Sequence, residues 1–300
     1  MKTTAKQFTV FGNTSIVQIC IDPVSEFIFQ PGGPEMKSGG LIISESTEGG
    51  VVGRLTALNN TGSYLLLTDA DVLIGAKQNR IINKSVLLAP YSKTPLDVSC
   101  IERLRWSYNN KNFSSPESAA DHDLRKAKAA SMSFLNSEAG AYHDTQGTVW
   151  SHINDRLAKE GIHQETESYH AMAGQVQERK AKEFPFCEAE KGCCGLAVFS
   201  DGKVQSIDLF GNEEVYRYYF PMLRDAAFRM AGTGKDVKVP EMHEAYYKSL
   251  DAIDSFEAAS RKPEEAYTGS GILTMIESEK QIGFGLSMNE ELIHRVIFQK

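Results

Sequence analysis

The sequence predicts an α+β fold in which a mostly antiparallel β layer is covered by helices and followed by a C-terminal β-meander. Three observations carry that expectation. Residues 1–110 run as short apolar, β-branched segments separated by glycine, proline and asparagine. After residue 115 the apolar period becomes helical. The last part of the chain returns to strand-length apolar runs joined by short polar turns. No repeat, low-complexity tract or linker interrupts the chain. Residues 1–300 are therefore read as one domain, β-rich over 1–110, helical over 115–185, and α/β with the meander over 190–300.

Residues 8–11 and 15–21 open the layer as apolar strands. Gln30-Pro31-Gly32-Gly33-Pro34 and Ser38-Gly39-Gly40 predict a loop, since glycine and proline are poor in regular structure. Strands are expected at 41–46 and 51–58. Asn59-Asn60-Thr61-Gly62-Ser63 supplies a tight connection to 64–68, and 81–88 and 96–101 complete the layer.

Ser115 as cap with Pro116 in the first turn predicts a helix to about Asn136. Val149, Ile153, Leu157 and Ala158 predict a second over 148–159, around Trp150, and 166–182 a third. Their polar surfaces suit helices laid on a sheet. Residues 195–199 and 204–209 form a hairpin across Asp201-Gly202. Residues 213–230 place Val215, Tyr218, Tyr219, Met222, Leu223, Ala226 and Ala227 on one helical face, with a kink expected at Pro221. Strands 272–276, 281–286 and 292–298, turning at Glu279-Lys280 and Asn289-Glu290, make the meander.

Acidic residues outnumber basic ones by 39 to 32, for a net charge of −7. Broad attraction to nucleic-acid phosphates is thereby excluded as a binding mode, while a local anion pocket is not. No apolar run is long enough to span a bilayer, and residues 1–8 lack the apolar core of a signal peptide. The five cysteines, Cys20, Cys100, Cys187, Cys193 and Cys194, are odd in number and form no regular framework. That pattern predicts reduced thiols and a cytoplasmic location.

The densest chemistry lies between residues 69 and 106. Asp69 and Asp71 precede Gly75, which is followed by Lys77-Gln78-Asn79-Arg80, and then by Cys100, Glu102, Arg103, Arg105 and Trp106. Consecutive charged and amide groups in a β-rich core are costly unless a polar pocket uses them. Gly75 permits a sharp backbone direction, Gln78 and Asn79 both donate and accept hydrogen bonds, Lys77 offers a point charge, and Arg80 a planar fork. The set suits a ligand with anionic and hydroxyl-rich parts; the competing reading is a solvated hairpin edge. Cys100 and Glu102 share a strand face. The carboxylate raises the thiol pKa, and Lys77, Arg80, Arg103 and Arg105 can reverse that, so Cys100 is either a nucleophile or a half-buried strand cysteine beside an ion pair. Trp106 and Tyr108 either stack on a base or pack at a strand end. Asp71, Lys77, Cys100 and Glu102 form the candidate catalytic set. Gly75, Gln78, Asn79, Arg80, Arg105 and Trp106 form the candidate ligand-binding set. The scattered histidines and the spacing of Cys187, Cys193 and Cys194 predict no metal site. With no phosphate loop, serine elbow or dinucleotide fingerprint, no cofactor is named.

These motifs, Asp69-Ala70-Asp71 through Gly75-Ala76-Lys77-Gln78-Asn79-Arg80, then Val98-Ser99-Cys100-Ile101-Glu102 and Arg105-Trp106, resemble the core of a widespread domain family. The family is named for its association with ADP-ribosylglycohydrolases and phosphatases of the rhodanese superfamily. The resemblance continues through Thr148-Val149-Trp150 and Leu209-Phe210-Gly211, covering most of the chain. The family's usual Asp-Gly-Glu stands here as Asp69-Ala70-Asp71, with an acid one methylene shorter. The association implies a role in ADP-ribose or related nucleotide metabolism. The leading expectation is thus a pocket for a small anionic, ADP-ribose-like ligand, with or without turnover and with no membrane partner. The alternatives are a non-catalytic sensing or adaptor module, and a buried polar network that only fixes sheet register.

Overall fold

The computed structural model describes residues 2–115, 117–133, 145–232, 238–265 and 267–300. The burial of each strand explains its place. Thr14–Asp22, Gly195–Ser200 and Lys203–Phe210 are buried along most of their length, whereas Lys2–Phe11 and Ser260–Pro263 carry exposed residues. The first three lie inside an eight-stranded sheet and the last two form its edges. The order is Lys2–Phe11, Thr14–Asp22, Gly195–Ser200, Lys203–Phe210, Glu291–Gln299, Gln281–Met288, Ile272–Glu277, Ser260–Pro263. Its last four strands are consecutive in the chain and antiparallel, so the expected meander is present with one strand more.

A six-stranded sheet runs Phe113–Ser114, Val72–Gly75, Arg80–Ile82, Ser92–Cys100, Arg54–Asn59, Leu41–Glu45. A small third sheet joins Gln30–Pro31, Leu65–Leu67 and Val86–Leu88. Gln30–Pro31 runs parallel to Leu65–Leu67, and the other strand pairs among the described residues are antiparallel.

Six helices accompany the sheets among the described residues: α1 (Gly32–Ser38), α2 (His122–Ser131), α3 (Thr145–Glu160), α4 (Tyr169–Lys180), α5 (Glu213–Met230) and α6 (Met242–Glu257). Neighbouring strand residues point to opposite faces, and the large sheet uses both. Ile16, Leu196 and Val198 pack with Val215, Tyr219 and Leu223 of α5, while Val17, Ala197 and Phe199 pack with Ala245, Ile253 and Phe256 of α6. On the six-stranded sheet, Val72 and Ile81 meet Leu124 of α2, Val149 and Ile153 of α3 and Met172 of α4. α5 starts at Asn212, whose side chain accepts a 2.8 Å bond from the Val215 amide, and runs through Pro221 as one helix.

Several expectations need correction. Residues 32–38 are helical. Pro34 and the two glycines fall in the first turn, where amides lack intrahelical acceptors anyway, and Gly39 ends the helix at φ 85°. The segment 81–88 divides into two strands in different sheets, and Val72–Gly75 is an additional strand. The helix expected from Ser115 is confined to His122–Ser131, since Phe113–Ser114 pairs as a strand and residues 117–121 stay non-helical; Pro116 and Asn136 lie outside the described residues. Helix α6 was not anticipated.

Candidate functional site

The connection from Val72–Gly75 to Arg80–Ile82 turns through Gly75 at φ 131° and Ala76 at φ 43°. A Cβ on Gly75 would stand 2.8 Å from the Asn112 carbonyl, so glycine is required both for conformation and for space. Asn79 Oδ1 accepts the Gly75 amide at 3.1 Å and closes the turn. Arg105 clasps the turn from outside. Its guanidinium donates to the carbonyls of Ala76 and Ser107, each at 2.8 Å, to the Gly75 carbonyl at 3.3 Å and to Asn79 Oδ1 at 3.2 Å. The same group bonds Glu102 Oε2 at 2.8 Å through Nε, and that oxygen also accepts the Asn79 amide at 3.3 Å.

Below this clasp lies Arg80, fully buried. Its Nη1 donates to Gln78 Oε1 and to Cys100 Sγ, both at 2.8 Å, and its Nη2 lies 3.7 Å from Glu45 Oε1. Gln78 Nε2 donates to the Arg103 carbonyl at 3.3 Å. Lys77 covers the outer side, donating to the Gly49 carbonyl at 2.7 Å with its ammonium 5.6 Å from the Trp106 ring and 5.1 Å from Tyr108. The structure thus brings Gly75, Lys77, Gln78, Asn79, Arg80, Cys100, Glu102, Arg105 and Trp106 together. Glu45, which the sequence did not single out, completes the set from a distant strand.

Two features define what this cluster can do. The two arginines are paired, Arg80 with Glu45 and Arg105 with Glu102; Arg80 and Glu102 are buried, and Glu45 and Arg105 partly so. The thiol and the carboxylate expected to cooperate serve different arginines. Burial pushes the Cys100 thiol above its ordinary range, with Arg80 pulling down and Glu45 pushing up. Cys100 is accordingly a protonated acceptor for Arg80 at neutral pH. Only Trp106 and Tyr108, about half exposed at 47% and 50%, open the cluster to solvent with Lys77.

Asp71 lies apart from this cluster. Its Oδ2 accepts the Thr68 amide at 2.8 Å and the Tyr219 hydroxyl at 3.0 Å. Burial, reinforced by the neighbouring Asp69 charge, raises its carboxyl to about 7. Asp69 belongs to a further network. Arg125 of α2 donates two bonds to Asp69, at 2.8 and 2.9 Å, and two to Asp208, at 2.5 and 3.0 Å. Burial alone would raise the Asp208 carboxyl, but Arg125 outweighs it and holds the group down to about 2. Lys128, one turn along α2, donates to the carbonyls of Asp69 and Ile82 and is pushed down to about 7 by burial.

Sequence reasoning missed this network because its members are scattered over residues 69–294. His294 places Nε2 3.4 Å from Asp208 Oδ1, and its Nδ1 lies 2.8 Å from Ser85 Oγ. Ser85, His294 and Asp208 stand in the order of a nucleophile relay, but Ser85 is completely buried and accepts the Asp69 amide at 3.2 Å. No substrate carbonyl reaches that oxygen. Asp69, Asp208 and His294 also have a spacing that could hold a metal, with their ligand atoms within 4.8 Å of one another. The guanidinium of Arg125 already bridges the two carboxylates, so this donor set is filled by the protein's own cation.

A concave surface of ligand size lies elsewhere. A cleft of about 780 Å³ opens at the rim of the large sheet, lined by Lys203–Gln205, the 278–281 turn, residues 299–300, α6 and Lys126 of α2. Five lysines, Lys126, Lys203, Lys248, Lys280 and Lys300, face two carboxylates, Asp251 and Glu279. Lys248 pairs with Glu244 at 2.7 Å and Lys300 with Glu277 at 2.6 Å. Lys126, Lys203 and Lys280 have no ion-pair partner among the described residues. Sequence reading could not find this site, because its lysines are isolated along the chain and become neighbours only through the sheet.

The architecture and these networks define an α+β protein with antiparallel sheets braced by buried arginine–carboxylate pairs. More particularly, the chain belongs to the ARG and Rhodanese-Phosphatase-superfamily-associated Protein domain family, whose model matches residues 2–298. No curated protein and no solved structure matches the chain. Among the described residues, no helix is long and apolar enough to cross a membrane.

Proposed function

We propose that this chain binds a small phosphorylated, nucleotide-like anion in the lysine-lined cleft. One observation carries the reading: three ammonium groups without carboxylate partners among the described residues converge on one cleft in a chain of net charge −7. A cleft of about 780 Å³ falls in the range of roughly 300–1,000 Å³ that small-molecule sites occupy. Gln205, Ser255, Ser278 and Gln299 add hydroxyl and amide groups suited to a sugar. The family's name, through its association with ADP-ribosylglycohydrolases, favours ADP-ribose as the first ligand to try.

Titration calorimetry with ADP-ribose, ADP and uncharged adenosine tests the reading. Binding of the two phosphorylated compounds but not adenosine, lost in Lys203→Glu, is the expected result. Equal responses to adenosine and ADP-ribose, or no response to any of the three, would refute it.

A second reading places the anion at the 75–80 turn. It is favoured by Arg80, whose Nε and Nη2 have no hydrogen-bond partner although the side chain is buried. On that reading Lys77 and Arg105 hold anionic groups, Trp106 stacks a base, Gly75, Gln78 and Asn79 shape and read the ligand, and Glu102 or Cys100 supplies the chemistry, with Asp71 too far aside to take part. Arg80→Met would then abolish ligand binding, whereas on the cleft reading it leaves binding unchanged.

A further inference from the structure

The cysteines left unused by the cleft and by the 75–80 turn show a separate feature. Cys20 lies in strand Thr14–Asp22, and Cys193 in the turn that enters the adjacent strand Gly195–Ser200. Their sulfur atoms are 2.7 Å apart, although all five cysteines are free thiols. A disulfide bond measures about 2.05 Å, so the two sulfurs need to approach by less than about 1 Å to bond. Local structure holds them there. The Cys193 amide donates to the Glu190 carbonyl at 3.0 Å, closing a turn that contains Gly192 at φ 77°, and the next amide, of Cys194, donates to the Ile19 carbonyl at 2.8 Å. Adjacent residues in extended chain face opposite ways. Cys193 therefore packs with Cys20 on the α5 face of the sheet, and Cys194 packs on the α6 face. Cys187 is occupied differently, its sulfur accepting the Thr9 hydroxyl at 3.3 Å.

We infer that Cys20 and Cys193 form a redox-modification site, a dithiol that a low-molecular-weight disulfide converts to an intramolecular disulfide. Cys20 is half-buried and within reach of solvent; Cys193 is fully buried. That asymmetry assigns the roles. The Cys20 thiolate attacks one sulfur of the reagent disulfide and releases one small thiol, leaving a mixed disulfide. Cys193 then gives its proton to water, its sulfur attacks that of Cys20, and the second small thiol leaves. The two cysteines lose two electrons and two protons, and the reagent gains them as two thiols. Burial raises the Cys193 thiol, with Cys20 adding to the shift, so this second step is the slow one. The product would tie residues 173 positions apart across the second and third strands of the large sheet.

The test uses the full chain, native and in oxidised glutathione, followed by non-reducing peptide mass spectrometry. The expected product is a Cys20–Cys193 linked peptide pair, lighter than the two thiols by two hydrogens, that dithiothreitol reverses. The oxidised protein should also melt several degrees higher. Cys20→Ser and, independently, Cys193→Ala should both abolish the link, while Cys187→Ser should retain it. A glutathione adduct that persists on Cys20, a link from Cys20 to Cys187, or five unmodified thiols after prolonged exposure would each overturn the inference.

Discussion

Asp69 and Asp71 stand two residues apart, yet their carboxylates serve different partners: Asp69 accepts two bonds from Arg125, and Asp71 accepts the Tyr219 hydroxyl. The difference sets their surroundings. A guanidinium faces one carboxylate, while the other meets neutral donors in a fully buried position and holds its proton to about pH 7.

A pH dependence with a definite sign follows for Asp71. Between the ordinary 3.8 and about 7, the folded carboxyl keeps a proton that the unfolded chain has released. Raising the pH through that window therefore destabilises the fold, by at most about 1.4 kcal/mol per unit. Lys128 acts in the opposite sense above about 7, where the folded amine has lost a proton that the unfolded chain retains, so stability rises toward the ordinary lysine value. Asp71→Asn keeps an oxygen for Thr68 and Tyr219 and removes the titration. Urea midpoints for this variant should be flatter between pH 5 and 7 than those of the parent chain; an unchanged slope would show that Asp71 ionises normally.

Arg125 joins α2 to both the 69–71 segment and strand Lys203–Phe210. Removing one partner from a buried pair costs about 3–5 kcal/mol, because the remaining charges stay buried without compensation. Arg125→Ala should lower the unfolding free energy by about that amount, and Asp69→Asn by less, since Asp208 still faces the guanidinium. Chemical denaturation of the two variants measures both. Equal losses would mean that the two carboxylates act as one unit.

The cleft makes a prediction about salt. Lys126, Lys203 and Lys280 line an open cleft, where added ions screen a phosphate strongly. Affinity for ADP-ribose should fall as ionic strength rises from 0.05 to about 0.5 M, where the Debye length shortens to well under about 8 Å. Lys203→Gln should weaken binding less than Lys203→Glu, and both should reduce the salt dependence. Calorimetry across a salt series distinguishes this from apolar binding, which salt does not weaken.

Much of the fold was legible because burial alternates with the strand period. Residues 272–298 read as a meander, and the 195–209 hairpin was marked by Asp201-Gly202, which adopt φ 49° and 74°. Helix α5 was legible from its apolar face, while its Asn212 cap emerged only with the structure. Helix α1 was hidden because Gly32, Gly33 and Pro34 read as breakers, whereas a first turn accepts them. Strand Val72–Gly75 was hidden in a run whose charges drew attention to chemistry. The gathering of Lys77–Arg80 with Cys100–Trp106 was legible from side-chain types. Its enclosure was not, because Glu45, which partners Arg80, arrives from a strand far off in sequence. Nor does sequence reveal that Arg125 answers Asp69 and Asp208, since only the tertiary fold brings helix α2 against both.

Arg105 offers the sharpest distinction between a turn held for structure and one held open for a ligand. Its planar guanidinium meets Glu102, Asn79 and the carbonyls of Gly75, Ala76 and Ser107 at once. An ammonium group has the charge but not the fork, so lysine can satisfy only a fraction of these acceptors. Arg105→Lys should therefore keep the ion pair with Glu102 while releasing the carbonyls, at a cost of about 1–3 kcal/mol for acceptors left unpaired. Hydrogen exchange should quicken at the Gly75 and Asn79 amides, whose acceptors Asn79 Oδ1 and Glu102 Oε2 are the ones Arg105 orients, and remain unchanged at Ile207 in the centre of the large sheet. Exchange that stays slow at residues 75–79 would mean that Gly75 and Asn79 hold the turn without the clasp, and that Arg105 is available to meet an incoming anion.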